Sequence, residues 1–355
     1  MTTESWLHDP RLVEGAERLV RELHGERSPA NAELRAGLRR LHGPAGLLFE
    51  VPAGRSGLAR IARTIASVAW VDLSLAFSLW SHRMVLEYVH AAEHALPDEL
   101  YELLARAELV GSSALASGMA HHVSGAALPI SLKEEGGRVN LTGKVRWASN
   151  LFEEGFLLIT AIARDGSSPQ IVALPAGTPG FTVDPFPSLL ELQATRSASL
   201  TLSDVALEPG AVLASEFDGF IRRVRPPFLL LQSSFCWGLA ARSLHEAARR
   251  LTGPINEVFV PEQRALVTEL ARIEAALEQL AGSLAVAPSP IREWVLIRLQ
   301  AAQLAGAATR LESKLVGGSG FTTESATARR LREAAFLPIQ SPTEGQLLWE
   351  LSRSS

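Results

Sequence analysis

The apolar residues of this chain change their period twice, and that pattern restricts the fold more than any other feature. Over residues 12–23 they recur as Leu12, Val13, Ala16, Leu19, Val20 and Leu23, with Glu14, Glu17, Arg18 and Arg21 between them, the spacing of an amphipathic helix. A polar stretch around residues 43–57 leads into a second helical zone, from residue 58 to about residue 109, apolar enough to be largely buried. Beyond Gly111 the texture becomes strand-like. Val139 and Leu141 alternate with polar residues, 156–162 is an apolar run broken only by Thr160, and 171–174 is another. Leu200, Leu202 and Val205 nearly alternate with Ser and Thr before Glu208, Pro209 and Gly210 end the pattern. After Pro226 and Pro227 helical texture returns, and Leu266, Leu270, Ile273, Leu277, Leu280 and Leu284 step by four and three alternately, a short heptad seam. More helix follows over 291–315, which favours a compact bundle over an extended coiled coil. The expectation is an α+β protein: an N-terminal helical domain over residues 1–110, a middle antiparallel β domain over 111–215 and a C-terminal helical bundle domain over 216–355.

Composition excludes several functions. A chain of 355 residues, 47% hydrophobic and 20% charged, can bury a large core. Its 34 basic and 38 acidic residues are interspersed, without the basic stripe that phosphate backbones demand, so nucleic acid is not expected as a partner. Cys236 is the sole cysteine, which rules out an intramolecular disulfide and a thiolate metal cage. The nine histidines show no metal-ligand spacing, and neither a nucleophile elbow nor a P-loop is present. No apolar run reaches about 18 residues and the first residues lack a signal-peptide layout, so a cytoplasmic protein without a membrane span is expected.

Three segments carry chemistry. Within residues 141–150, Trp147 is followed two positions later by Ser149, and strand alternation would place both on one face. A flat ring beside a hydroxyl suits an isoalloxazine, whose face stacks and whose N5 and carbonyls take hydrogen bonds. The plain alternative is a core aromatic and a turn hydroxyl. Within 194–209, Thr195 and Ser197 offer hydroxyls to a cofactor's polar edge just before a strand. Further on, Gly317, Gly318 and Gly320 with Phe321 interrupt a helix and would let backbone approach a ligand closely, although such clusters also serve simply as helix caps.

In this order and at these separations the segments resemble the acyl-CoA dehydrogenase superfamily over nearly the whole chain. The resemblance rests on Gly143 and Lys144 followed by Trp147, Ser149 and Asn150, on Asp204, Val205 and Pro209, and on Gly317, Gly318, Gly320 and Phe321 followed by Arg332, Glu333 and Ala334. It implies the three-part fold and a flavin, FAD or alternatively FMN, contacted by Trp147 and Ser149. It also implies that Gly317–Phe321 binds the dinucleotide part of FAD, commonly across a subunit boundary. A homodimer or homotetramer is therefore expected, with the heptad seam as a second candidate contact between subunits.

The departures from the family pattern bear on the reaction. Counted from Arg332 without gaps, the position of the family's catalytic glutamate falls on Ser341, and a hydroxyl cannot abstract an α-proton as a carboxylate does. Glu344 stands three residues later, so a local insertion would restore the base. The stretch 228–238, where some family members carry the glutamate instead, has no carboxylate. The family's flavin loop departs as well, leaving Ser113 and Ser117 as candidate contacts.

Three functions stay open. The first is a flavin-dependent oxidoreductase acting on a small molecule, an acyl thioester of CoA or a related organic substrate, and passing electrons to an electron-transfer partner. The second is a monooxygenase that receives reduced flavin from a flavin-reductase partner and uses oxygen, with His82 and Ser341 as candidate catalytic residues. The third is a non-catalytic flavin-fold binding or partner subunit. For His82 the plain reading is a half-buried helix residue whose ring is satisfied by a neighbour. His121 and His122 read as loop surface, and Glu153 and Glu154 as a solvated turn.

Overall fold

The computed structural model describes residues 5–24, 34–135, 138–153, 155–164, 166–286 and 289–353. The N-terminal part is helical: α1 (Pro10–His24), α2 (Leu34–His42), α3 (Arg55–Val71), α4 (Leu73–His90) and α5 (Asp98–Ala105). Asp72 alone separates α3 from α4, and its carboxylate accepts a hydrogen bond from Leu75 N at 2.8 Å, capping an otherwise unsatisfied donor. All of α4 from residue 73 to 88 is buried, so its sequence is apolar on every side rather than amphipathic.

The middle part holds β1 (Val110–Ala114), α6 (Ala116–Ser124), β2 (Ile130–Glu135), β3 (Arg138–Ala148), β4 (Phe156–Arg164), β5 (Ser167–Pro175), β6 (Phe181–Pro185), β7 (Ala198–Ala206) and β8 (Val212–Ala214). The strand order is β6-β7-β3-β2-β4-β5-β8, with β1 also paired to β4. β1 and β2 both run parallel to β4, so the sheet is mixed where the sequence pattern suggested a purely antiparallel one. α6 lies on the connection that makes such a parallel pairing possible. The strand β8, three residues long, lies beyond the last strand legible in the sequence. His121 and His122 sit on α6 rather than in a loop.

Strand β4 explains its own unbroken apolar run. Leu158 and Ile162 pack into the core of the β part, whereas Leu157, Ile159 and Ala161 pack into the core shared with the helices. Both faces are covered, so alternation is lost. β5 repeats the arrangement, with Val172 and Leu174 on one side and Ile171 and Ala173 on the other.

The C-terminal part comprises α7 (Phe217–Ala248), α8 (Gly253–Glu257), α9 (Val260–Val286), α10 (Ile291–Val316), a 3₁₀ turn at Gly317–Phe321, α11 (Ala326–Phe336) and α12 (Glu344–Arg353). Helix returns earlier than the two prolines suggested: α7 begins at Phe217 and carries Pro226 and Pro227 inside it. The carbonyls that lose their donors belong to Arg222 and Arg223, both exposed, so water can satisfy them. Of the heptad seam, Leu270, Ile273, Leu277, Leu280 and Leu284 are buried, and Trp237 Nε1 of α7 donates to the Leu270 carbonyl at 3.1 Å. The seam is thus spent inside the bundle, not between copies of the chain. Among the described residues no helix is long and apolar enough to cross a membrane.

Candidate functional site

Two cavities meet where the β part joins the helices. The inner one, about 260 Å³, lies between α4 (Phe77, Trp80, Ser81), Trp147 at the end of β3 and Ser149 just after it, Ser113 of β1, Phe228 of α7 and the segment 336–341. The second, about 410 Å³, lies between α6, α7 and the segment 341–350. They share Phe228 and Ser341 as wall. An aromatic cluster forms the floor of the inner cavity: Phe77 stacks on Trp80 at 5.2 Å, and Phe228 and Phe336 meet them edge-on.

Trp147 and Ser149 both reach the inner cavity, but not through the regular alternation expected from sequence. Between Val145 and Ala148 the pairing with β7 slips by one residue, a β-bulge that turns Trp147 outward and leaves it 46% exposed while Ser149 is 5% exposed. Phe186 stacks on the indole with a centroid distance of 4.2 Å, covering one face. The end of β3 is pinned by Asn150, which is buried and left-handed at φ 65. Its Nδ2 donates to Ser78 O at 2.8 Å and to Gly111 O at 2.9 Å, and Ser78 Oγ donates to its Oδ1. Asparagine is among the few residues that tolerate that backbone, a signal in the sequence whose structural role was not drawn from it.

Thr195 and Ser197 do not line the cavity. They stand behind Ser149: Thr195 Oγ1 lies 2.8 Å from Ser197 Oγ, which lies 2.7 Å from Ser149 Oγ. Ser113 is on the cavity wall, with its Oγ 2.9 Å from Tyr88 Oη and its N–H donating to Ser81 Oγ. Ser117, half-buried on α6, lines neither cavity. The Gly317–Phe321 turn also lines neither; Gly317 is left-handed at φ 68, Gly318 is exposed, Gly320 is buried where a Cβ would meet Val316 Cγ1 at 2.8 Å, and Phe321 is 87% exposed.

Of the candidate catalytic residues, only Ser341 stands on a cavity wall, and it stands on both. Glu344, the first residue of α12, turns toward α10, where its Oε1 accepts from Gln303 Nε2 at 2.7 Å. His82 is fully buried in α4 and reaches neither cavity; its Nδ1 accepts from Gly111 N–H at 2.9 Å. Burial, then the neighbouring His42 and Arg83, drives its pKa well below the usual histidine value, so the ring is neutral. It ties α4 to β1. Glu153 is exposed in a turn, and Glu154 lies outside the described residues.

The sequence left unread a network around Arg298, a fully buried guanidinium of α10. Arg298 Nε donates to Gln232 Oε1 at 3.0 Å and Nη2 donates to Gln340 Oε1 at 2.7 Å. An arginine has no acceptor, so both glutamines must present oxygen to it and turn their NH₂ groups away. Gln232 Nε2 accordingly donates to the Ser341 carbonyl at 2.9 Å. Gln340 keeps its NH₂ for the inner cavity it lines. Trp80 lines the same wall, but its Nε1 is buried and lacks a hydrogen-bond partner. Among the described residues lining the inner cavity, none has a titratable side chain. The second cavity is lined by Arg225 of α7 and Glu350 of α12, which form an ion pair.

No protein-family model matches the chain, and no curated protein matches it by sequence. Its structure is similar to that of an acyl-CoA dehydrogenase from Geobacillus kaustophilus, with a TM-score of 0.79 at 14% identity over 99% of each chain. It is similar to a glutaryl-CoA dehydrogenase from Mycobacterium smegmatis in complex with FADH2, with a TM-score of 0.78 at 17% identity over 98% of this chain and 95% of that one. It is also similar to PigA with FAD and proline, with a TM-score of 0.77 at 14% identity over 100% of this chain and 99% of that one. The chain has an acyl-CoA dehydrogenase-like fold.

Proposed function

We propose that this chain is a flavin-dependent oxidoreductase that holds FAD against Trp147 and Ser149 and a small organic substrate in the inner cavity that they line. Structures of the same fold contain FAD or FADH2, which supports the cofactor. The residues fit a flavin: Trp147 keeps one face uncovered by Phe186, Ile339 at 70% exposure is an apolar side chain beside the same cavity, and Ser149 brings a hydroxyl to its wall. A flavin bound there would supply two-electron exchange with the substrate. Phe77, Trp80 and Phe228 give the cavity an apolar wall, and the Gln340 NH₂ offers a donor to an acceptor oxygen of the substrate.

The observation that supports a choice among reactions is the absence of any titratable side chain on the inner cavity wall among the described residues. Dehydrogenation of a saturated acyl thioester needs a base at the α-carbon, and Ser341 is not one. Saturated acyl-CoAs should therefore be poor substrates. The same observation favours, as a second reading, chemistry with oxygen on a flavin that a reductase partner delivers reduced, since that route needs no such base.

Titration of the purified protein with FAD and with FMN, followed by flavin fluorescence, tests the proposal. Saturable binding is expected, weakened by Trp147→Ala by roughly tenfold, the size of one aromatic stack. Failure to bind either flavin at high micromolar concentration would sink it.

A further inference from the structure

Hydrogen counting gives the hydroxyl row behind the cavity a direction. Thr195 Oγ1 lies 2.7 Å from the Leu192 carbonyl, which can only accept, so the single Thr195 hydrogen is committed there. Ser197, 2.8 Å away, must then donate to Thr195 rather than receive from it. Ser197 has no second hydrogen, so at 2.7 Å Ser149 must donate to Ser197. Thr195 is fully buried, and Ser197 and Ser149 are 6% and 5% exposed, so bulk water does not re-satisfy the row in another order. What Ser149 Oγ presents to the cavity is therefore a pair of lone pairs. The row behind this hydroxyl makes it an acceptor.

The backbone that sets this row is itself unusual. Leu192, Arg196 and Asn150 are non-glycine residues at φ 65, 48 and 65, in the left-handed region. Each costs on the order of 1 kcal/mol and persists only where surroundings dictate it. Here Asn150 N–H donates to Thr195 O at 2.8 Å and Leu151 N–H to Arg196 O at 3.3 Å, locking the turn at 192–196 against the end of β3. The strained turn holds Thr195 within hydrogen-bonding reach of Ser197, and Ser197 within reach of Ser149.

We infer that Thr195 and Ser197 are positioning residues that fix Ser149 Oγ as a hydrogen-bond acceptor, and that the site thereby selects a reduced flavin over an oxidised one. This rests on the flavin reading proposed above. The part of an isoalloxazine that exchanges electrons with a substrate in the inner cavity has to lie at the cavity, and Ser149 is on that wall. N5 is the reactive ring atom whose role inverts with redox state: it accepts a hydrogen bond when oxidised and carries N–H when reduced. An acceptor rewards only the reduced form. Such a preference suits a chain that takes up flavin already reduced.

The test compares dissociation constants of FAD and of dithionite-reduced FAD under anaerobic conditions, with the midpoint potential of bound FAD relative to free FAD as an independent readout. FADH2 should bind about three- to tenfold more tightly, the worth of one hydrogen bond. Ser197→Ala and Thr195→Val each release the Ser149 hydrogen and should bring the two constants to near parity, whereas Ser197→Thr keeps the row and should retain the preference. Oxidised FAD binding as tightly as reduced FAD, or Ser197→Ala leaving the ratio unchanged, overturns the inference while leaving the flavin reading in place. Binding of neither form overturns both.

Discussion

Arg298 Nη2 donates to Gln340 Oε1 at 2.7 Å, and this contact decides which end of the Gln340 amide faces the cavity. The guanidinium also serves Gln232 and the Leu337 carbonyl, and among the described residues none of these hydrogen bonds goes to a carboxylate. Arg298→Met would leave three buried oxygens without their donor. The expected loss of stability is about 2–4 kcal/mol, read from the urea midpoint at unchanged m. Arg298→Lys should recover only part of it, because a point charge cannot reproduce the fork. A midpoint unmoved by Arg298→Met would show that the network contributes nothing net.

Ser341 and Glu344 give opposite expectations although three residues apart. Ser341 is on both cavity walls, so Ser341→Glu should introduce a base and allow a saturated acyl-CoA to bleach bound flavin anaerobically where the unaltered protein does so poorly. The gain should be on the order of 10²–10⁴-fold. Glu344→Gln keeps the contact with Gln303 in an amide form and should leave turnover unchanged. Lost activity in Glu344→Gln would assign the base to Glu344 after all.

A pH dependence follows from Glu333. Burial is the main cause that raises its pKa from 4.5 to about 7, with Asp72 and Glu191 adding like charge against the opposing pull of Arg329. A carboxyl whose pKa is raised on folding favours the folded state fully below the unfolded-state value, and that contribution is lost as pH rises through about 7. The unaltered protein should therefore lose stability relative to Glu333→Gln between about pH 4.5 and 7, by on the order of 3 kcal/mol. Parallel melting curves of the two proteins across that window would refute it.

Self-association is expected from surface rather than from the seam. Phe321 is 87% exposed on the glycine-rich turn, and Ile255 and Val258 around α8 are 82% and 68% exposed. Light scattering at micromolar concentration should return a dimer or tetramer. A single species of monomer mass would reject the oligomer.

The sequence alone determined the three-part architecture, because helix and strand periods are local and each element's burial writes itself into its own spacing. It also singled out Trp147, Ser149, Ser113 and Ser341, which the fold gathers around one cavity, through a resemblance carried by short motifs. Where an element is covered on both sides the period vanishes. That is why α4 and β4 read as merely apolar, and why nothing local foretold the parallel pairing of β1 with β4 or a helix continuing through Pro226 and Pro227.

Direction and partnership were decided only in three dimensions. Whether Ser149 donates or accepts depends on the Leu192 carbonyl, 43 residues further along the chain, through two intervening hydroxyls. Whether His82 is chemical or structural depends on a backbone N–H 29 residues away, and whether Glu344 faces a cavity depends on Gln303 of another helix. Arg298 looks in sequence like any charged helix residue; its burial beside Gln232 and Gln340 comes from the packing of α7, α10 and the segment after α11. A hydrogen bond has a direction only once both ends are placed, and the placement of distant ends is what tertiary structure supplies.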